Sequence, residues 1–282
     1  MATEGRDRTP GLAHRDVLEV RNGLGSDRQD QLAEEVPLAI HLNGKPLAVM
    51  MVTPCDLEDF AYGFALTELG LTASALTGVH VQALLEGLHA DINTASAGRS
   101  PLQPEEPRWL PGRSGCGICG NRRLEDVVRQ PEPVGQGSVV ASSALDAALR
   151  AVAEHQPLNA ASGAVHAAAF FAPDGAVRLV REDVGRHNAL DKLIGALQRA
   201  GLNGGTGFVV ITSRASYEMV AKAAAAGAPL LAAMSAPTAL AVDLAQRCGM
   251  TLVGFARTGR HVVYSHPERL SGEGPAPARL AK

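Results

Sequence analysis

Lysine is nearly missing from this chain: of 282 residues, 22 are Arg and only four are Lys (Lys45, Lys192, Lys222 and Lys282). Compositional bias accounts for most of that skew, against selection of Arg for bidentate phosphate contacts. Aromatic residues make up 4%, so the core must be aliphatic. With four cysteines in a chain of this length, a disulfide-stapled scaffold is excluded. No sign of charge dominates. The formal net charge of −3 gives no global field that would draw the protein onto nucleic acid or an anionic membrane, so any anion site must be local. A long apolar run is also wanting. The uncharged stretch Ala223 to Val242 is mostly Ala and is interrupted by Pro229 and Pro237, which suits no membrane span. The first thirty residues mix both charges without an apolar centre, so no secretory signal and a cytoplasmic location are expected. In that reducing compartment a cysteine pair serves as metal ligands or as a reactive site more often than as a disulfide.

What is present fits a globular α/β protein, 46% hydrophobic and 20% charged. The ends, 1–30 and 271–282, read as flexible tails without periodicity. Val36 to Leu42 and Pro46 to Val52 read as strands joined across Asn43-Gly44, the strongest short hairpin signal. A helix is expected from Asp56, with Leu57, Phe60, Ala61 and Phe64 at helical spacing, followed by strands near 79–85 and 88–92. Residues 96–120 break the pattern as a long Gly, Pro and Arg-rich loop. A second helix, capped by Ser143, and a hairpin around Pro173-Asp174-Gly175 come next. From Asn188 onward helices alternate with short apolar strands, the pattern of a parallel sheet covered on both faces. We therefore expect an N-terminal α+β part over 31–140 that includes the 96–120 loop, and a C-terminal α/β domain over 141–270. No internal repeat is evident.

The sharpest local feature is Ser114-Gly115-Cys116-Gly117-Ile118-Cys119-Gly120. Zinc would need two further ligands, and Cys55 and Cys248 stand alone in apolar segments, where they read as packing residues. A thioredoxin-like dithiol would open a helix after a strand, which this loop does not do. Physical chemistry favours a mobile nucleophilic thiol. Flanking glycines free backbone N–H groups to face a thiolate, and Arg113, Arg122 and Arg123 add positive potential that lowers a thiol pKa. In parallel sheets, ligands bind beyond the carboxyl ends of the strands. Ser213-Arg214-Ala215-Ser216 and Phe255-Ala256-Arg257-Thr258-Gly259-Arg260 fall at such ends, and Glu182 to Asn188 leads a strand into a helix, with Asp183 or Asn188 as its cap. These strand ends point to a nucleotide-like ligand, although the Gly-Lys-Ser/Thr of a P-loop is lacking. A zinc deaminase is disfavoured, because His166 has no Glu two residues on and the Cys pair precedes it.

Four segments in fixed order resemble the FdhD family of formate dehydrogenase accessory proteins: the Cys116/Cys119 loop, Glu182 to Lys192, Ser213 to Met219, and Leu252 to Arg260. The resemblance spans roughly Glu34 to Leu270. It implies a mixed sheet covered by helices with a cytidine-deaminase-like core in the C-terminal half, and a homodimer. It further implies a sulfurtransferase that takes persulfide sulfur from a cysteine desulfurase and passes it to bis-molybdopterin guanine dinucleotide before insertion into formate dehydrogenase. Cys116 would carry the persulfide and Cys119 would relay or expel the sulfur. Phe255, Ala256, Arg257, Thr258, Gly259 and Arg260 would hold the cofactor, with Arg257 and Arg260 on its pyrophosphate and Arg214 and Arg186 as lesser candidates. No resident metal, nucleic acid or membrane partner is expected. A non-catalytic cofactor chaperone and a dithiol oxidoreductase are the alternatives.

Overall fold

The structure is a computed structural model and describes residues 9–95 and 131–272. The chain divides into two compact units, each assembled from separated stretches: Met1–Arg129, Glu154–Ala168 and Val180–Leu202 form the first, Gln130–Ala153, Ala169–Leu179 and Asn203–Lys282 the second.

Two hairpins open the first unit. β1 (Leu12–Arg21) pairs with β2 (Leu24–Ala33), and β3 (Val36–Leu42) with β4 (Lys45–Val52). Both turn on Asn-Gly, with φ of 52° and 82° at Asn22-Gly23 and 50° and 74° at Asn43-Gly44. Positive φ at both central positions is what a tight hairpin turn needs, and Asn and Gly are the residues that adopt it. Residues 12–30, expected to be a flexible tail, are thus strands in full register from Leu12↔Ala33 to Arg21↔Leu24. Composition misled because this ribbon is exposed on both faces, so it carries no hydrophobic alternation. Its root is held by Leu12, packed with Leu158 and Val165, and its length by Arg28, which bridges Glu19 and Asp30.

β5 (Leu76–Leu84) and β6 (Gly87–Thr94) complete a four-stranded sheet in the order β4-β3-β6-β5. Alternate residues Leu38, Ile40 and Leu42 of β3 and Ala90 and Ile92 of β6 point into a core with Phe60, Phe64 and Leu69 of α1 (Leu57–Leu69). Each such large side chain stabilises the fold by about 1.5–3 kcal/mol when buried. Among the described residues the other α-helices of this unit are the short α3 (Pro157–Ser162) and α4 (Arg186–Arg199). α1 packs tightly on α4. A Cβ at Gly63 would lie 1.8 Å from the Asp191 carbonyl oxygen, and one at Gly195 would lie 1.8 Å from that of Asp59. Polar ties flank this contact: Asp59 receives Arg181 and Arg199, and the Thr67 hydroxyl donates to Asp191 at 2.8 Å.

The second unit is built on a six-stranded mixed sheet ordered β13-β12-β11-β10-β8-β9. β10 (Phe208–Ile211), β11 (Leu230–Ala233) and β12 (Thr251–Arg257) run parallel, and β13 (Arg260–Ser265) returns antiparallel to β12. β8 (His166–Phe171) and β9 (Val177–Asp183) form the hairpin expected around Asp174, whose carboxylate accepts the Ala176 N–H at 3.0 Å. The outer ends of these two strands, His166–Ala168 and Val180–Asp183, belong to the first unit. Every residue of β10 and β11 is buried, which is what a sheet covered on both faces requires. α5 (Tyr217–Ala225) and α6 (Ala239–Arg247) are the crossovers, while α2 (Ser142–Glu154) buries Leu145, Leu149 and Val152 as its periodicity predicts. β7 (Val140–Ala141) pairs with β14 (Leu270–Ser271). The mixed α/β class is as expected. The units do not follow the linear division at residue 140, because the Glu182 to Lys192 motif folds with α1. No helix among the described residues is long and apolar enough to cross a membrane.

Candidate functional site

In the second unit three loops leave the parallel strands at their carboxyl ends and are sewn together through the backbone. The Met234 N–H donates to the Ile211 carbonyl at 2.9 Å, and the Ala215 N–H to that of Ala236 at 3.2 Å. The Thr238 N–H returns to Ala215 O at 3.0 Å, and the Phe255 N–H reaches Ser235 O at 3.0 Å. Two of these loops are built alike. Each strand ends in Ser-x-x-Ser/Thr, Ser213 to Ser216 and Ser235 to Thr238, and each then opens a helix. The Ala215↔Pro237 bridge joins them side by side. This local repetition and the Ser235 loop escaped the sequence reading; the recurring serine-led tetrapeptide is the signal that marks them.

The two helix starts differ in one respect. The Thr238 hydroxyl caps α6 by accepting the Ala241 N–H at 3.3 Å. Ser216, at the same place on α5, makes no cap bond, and its Oγ is buried with no partner. A buried hydroxyl left unpaired costs about 1–3 kcal/mol, and a helix amino terminus presents N–H groups and positive dipole to an anion.

The third loop holds the six residues expected to bind a cofactor. Phe255 sits at a register shift of β12 with φ 50° and is 46% exposed. Left-handed backbone at a bulky residue costs on the order of 1–3 kcal/mol and persists where the surroundings impose it, commonly at functional sites. Ala256 is fully buried and packs the strand. The Arg257 guanidinium donates to the Met234 carbonyl and to Ala256 O, the second at 2.9 Å, which fixes its stem across the middle loop. Thr258, Gly259 and Arg260 are exposed in the turn to β13, and the Gly259 N–H donates to Asp146 Oδ1 at 3.0 Å. With exposed Arg214 on the first loop, this end of the sheet supplies guanidinium groups, a helix amino terminus and an unpaired hydroxyl. Such donors bind phosphate or diphosphate oxygens. Cys116 and Cys119 lie outside the described residues.

In the first unit Glu182 to Lys192 forms a buried polar lock instead of a capped turn. Asp183 and Lys192 are 0% exposed and pair at 2.7 Å. Asp183 also accepts the N–H groups of Thr53 at 3.0 Å and Gly185 at 2.8 Å, and the Asn188 amide at 3.0 Å. The N-cap of α4 is Gly185 with no side-chain cap, so neither Asp183 nor Asn188 takes that role. Lys192 Nζ further donates to the carbonyls of Thr53 at 3.0 Å and Glu182 at 3.3 Å, and lies 3.8 Å from Cys55 Sγ. Burial pushes the Cys55 thiol above its ordinary value, with the Lys192 cation pulling the other way. Cys55 is only half-buried, whereas Cys248 is the buried packing residue expected. Burial raises Glu182 although its carboxylate accepts the N–H groups of Leu158 and Asn159. Burial and the nearby Arg186 and His187 lower His166. Arg186 Nε is buried without a partner at the start of α4.

Comparison with known proteins is consistent across three measures. The model of the FdhD/NarQ family matches residues 33–271. The sulfur carrier protein FdhD of Xanthomonas euvesicatoria pv. vesicatoria is 52% identical over 263 residues, 93% of each chain. That of Cupriavidus necator is 50% identical over 245 residues, 86% of this chain and 85% of its own. A crystal structure assigned as a formate dehydrogenase accessory protein, from Desulfotalea psychrophila, superposes with a TM-score of 0.75 at 25% identity, covering 93% of this chain and all of that one.

Proposed function

The chain belongs to the FdhD/NarQ family, and from that premise we propose that it is a sulfurtransferase serving formate dehydrogenase through a cysteine persulfide. Its relatives are named sulfur carrier proteins. In this reading the Cys116 thiolate attacks the sulfane sulfur of a desulfurase persulfide, forming a new S–S bond and releasing the donor's thiolate. Cys119 then attacks Cys116 Sγ. The terminal sulfur leaves as hydrosulfide to the cargo, and the resulting Cys116–Cys119 disulfide is returned to two thiols by a dithiol reductant.

The cargo is bis-molybdopterin guanine dinucleotide, which the protein handles as a substrate. The observation that carries its assignment is the Ser216 hydroxyl, buried and unpaired at the start of α5 beside the loops of Arg214 and Arg257. A diphosphate oxygen supplies the missing partner, and the chain's slightly negative net charge makes local Arg donors the means of attraction. Phe255, Ala256, Arg257, Thr258, Gly259 and Arg260 line the cargo's nucleotide half in this reading. The protein works as a homodimer in the cytoplasm, with a cysteine desulfurase as donor and formate dehydrogenase as recipient.

Intact-mass analysis after incubation with a cysteine desulfurase and cysteine tests the sulfur step. An adduct of about +32 Da, one sulfur atom, is expected on the Cys116 peptide and is lost in Cys116→Ala. Absence of the adduct, with nucleotide binding intact, would overturn sulfur carriage and leave a cargo-binding chaperone.

A further inference from the structure

The β1–β2 ribbon of the first unit stands largely in solvent. Every residue from Val20 to Gln29 is exposed, and the apolar side chains of Leu18 and Val20 are 65% and 61% exposed. Two antiparallel strands alone are marginally stable in water, whereas three or more with an apolar face hold. But for Ala33 the ribbon lies ahead of the family-matched residues 33–271, and it takes no part in the cargo loops. We propose that two copies of the chain pair along their β1 edges, forming one four-stranded antiparallel sheet ordered β2-β1-β1-β2 across a two-fold axis. This pairing gives the proposed homodimer its contact surface and rests on that reading.

Register decides which main-chain groups β1 has left to offer. Arg21 and Leu24 flank the two-residue turn at Asn22-Gly23, which makes them a hydrogen-bonded pair, and such pairs recur at every second residue. Arg21, Glu19, Val17 and Arg15 therefore direct their N–H and C=O groups to β2. Those of Val20, Leu18, Asp16 and His14 face the open edge. There the His14 carbonyl accepts the neighbouring Arg15 guanidinium at 2.8 Å instead of a strand. An antiparallel copy centred on Val17 sets Asp16 against Leu18 and His14 against Val20, so edge-facing residues meet throughout and about eight main-chain hydrogen bonds form.

The same centring matches the side chains. Arg15 falls opposite Glu19 of the second copy, twice over, and Val17 meets itself on the axis. These are the non-hydrogen-bonded pairs, whose side chains approach most closely. Arg15 has no ion pair among the described residues, while Glu19 is already oriented by Arg21 at 2.9 Å and Arg28 at 3.5 Å, the latter balanced by Asp30. On the opposite face the two Leu18 side chains become diagonal neighbours and cover each other. Adjacent registers are disfavoured by charge: centring on Asp16 sets its carboxylate against its own copy, and centring on Leu18 sets Arg15 against Arg21. The edge of β2 offers no such match, since the residues facing it are Gly25, Asp27, Gln29 and Gln31. That self-complementarity points to a second copy of the chain as the partner, and a two-fold contact closes at two chains.

Sedimentation equilibrium of the full chain tests the pairing through its charges. Arg15→Glu and Glu19→Arg each bring like charges face to face at both ends of the contact and should weaken dimerisation at least about tenfold. An equimolar mixture of the two variants restores opposite charges at both positions, so a mixed dimer of near wild-type affinity is expected, a recovery that a loosened ribbon would not show. Val17→Cys, in a chain carrying Cys116→Ser and Cys119→Ser, should form a disulfide between chains under oxidised glutathione, because its Cβ faces its own copy at about 4.5–5.5 Å. The same chain without Val17→Cys should not. Dimers of unchanged affinity in both charge variants would remove β1 from the interface and leave the homodimer reading standing. No recovery in the mixture, or no cross-link at Val17→Cys, would likewise overturn the pairing. A wild-type chain that stays monomeric at every concentration would overturn both.

Discussion

Replacing Lys192 by Met removes the cation from a site where nothing else can balance Asp183. Both side chains are 0% exposed and 2.7 Å apart. In Lys192→Met the Asp183 carboxylate keeps three donors, from Thr53, Gly185 and Asn188, but its charge stays buried and unpaired. The carbonyls of Thr53 and Glu182 also lose their shared donor. Breaking a buried pair from one side costs about 3–5 kcal/mol. At about 2–4 °C per kcal/mol for a protein of this size, the melting temperature should fall by about 6–20 °C. Urea unfolding monitored by circular dichroism gives the free energy directly, with the midpoint moving and the slope preserved. Combining Lys192→Met with Asp183→Asn should recover part of the loss, because the stranded charge is then gone. A single-variant cost below about 1 kcal/mol, or a double variant no better than the single, would refute the assignment of this pair as the lock that holds the Glu182 to Lys192 segment.

Gly195→Val forces a side chain into the Asp59 carbonyl, where even a Cβ would sit at 1.8 Å; we expect a loss of about 3 kcal/mol or more in thermal or urea melts. Ser216→Ala should not destabilise the free protein and should stabilise it by up to about 1–3 kcal/mol, since it removes a buried hydroxyl that has no partner. It should weaken binding of guanosine diphosphate, used as a probe for the cargo's nucleotide half, about tenfold in calorimetry. Unchanged affinity would remove Ser216 from the site. Burial raises both Cys55 and Cys248, which lowers their thiolate fraction. Iodoacetamide at pH 8 should therefore leave the 2% exposed Cys248 unlabelled after Cys116 and Cys119 have reacted. Mass mapping that finds Cys248 labelled as fast as a free thiol would contradict its burial.

Much of the architecture was legible because it rests on local signals. Asn43-Gly44 marked its hairpin, and the alternation of apolar strands and helices after Asn188 marked the parallel sheet with its ligand-prone strand ends. Residues 12–33 were illegible because an exposed ribbon has no buried face to write into the sequence; its Asn22-Gly23 turn, the same signal as at Asn43, was the clue passed over. The role of Asp183 was misjudged for a different reason. A carboxylate near a helix start reads locally as a cap, whereas its partners Lys192 and Thr53 are brought to it by tertiary packing. Ser216 stands between a buried strand and a helix start, as its sequence suggests, yet only coordinates distinguish its unpaired hydroxyl from the capping Thr238.

The interleaved make-up of the first unit bears on how the protein is synthesised. α1 leaves the ribosome early, but α4, whose Gly195 and Asp191 close against it, follows roughly 120 residues later. At about 5–20 residues per second, Asp59 and Gly63 must wait on the order of ten seconds before that contact can form. Truncation anywhere before Leu202 yields a fragment that lacks part of this unit, and nascent chains halted there should be held by chaperones. Expression of residues 1–140 alone should therefore give aggregates, while fusion at either terminus of the full chain should not.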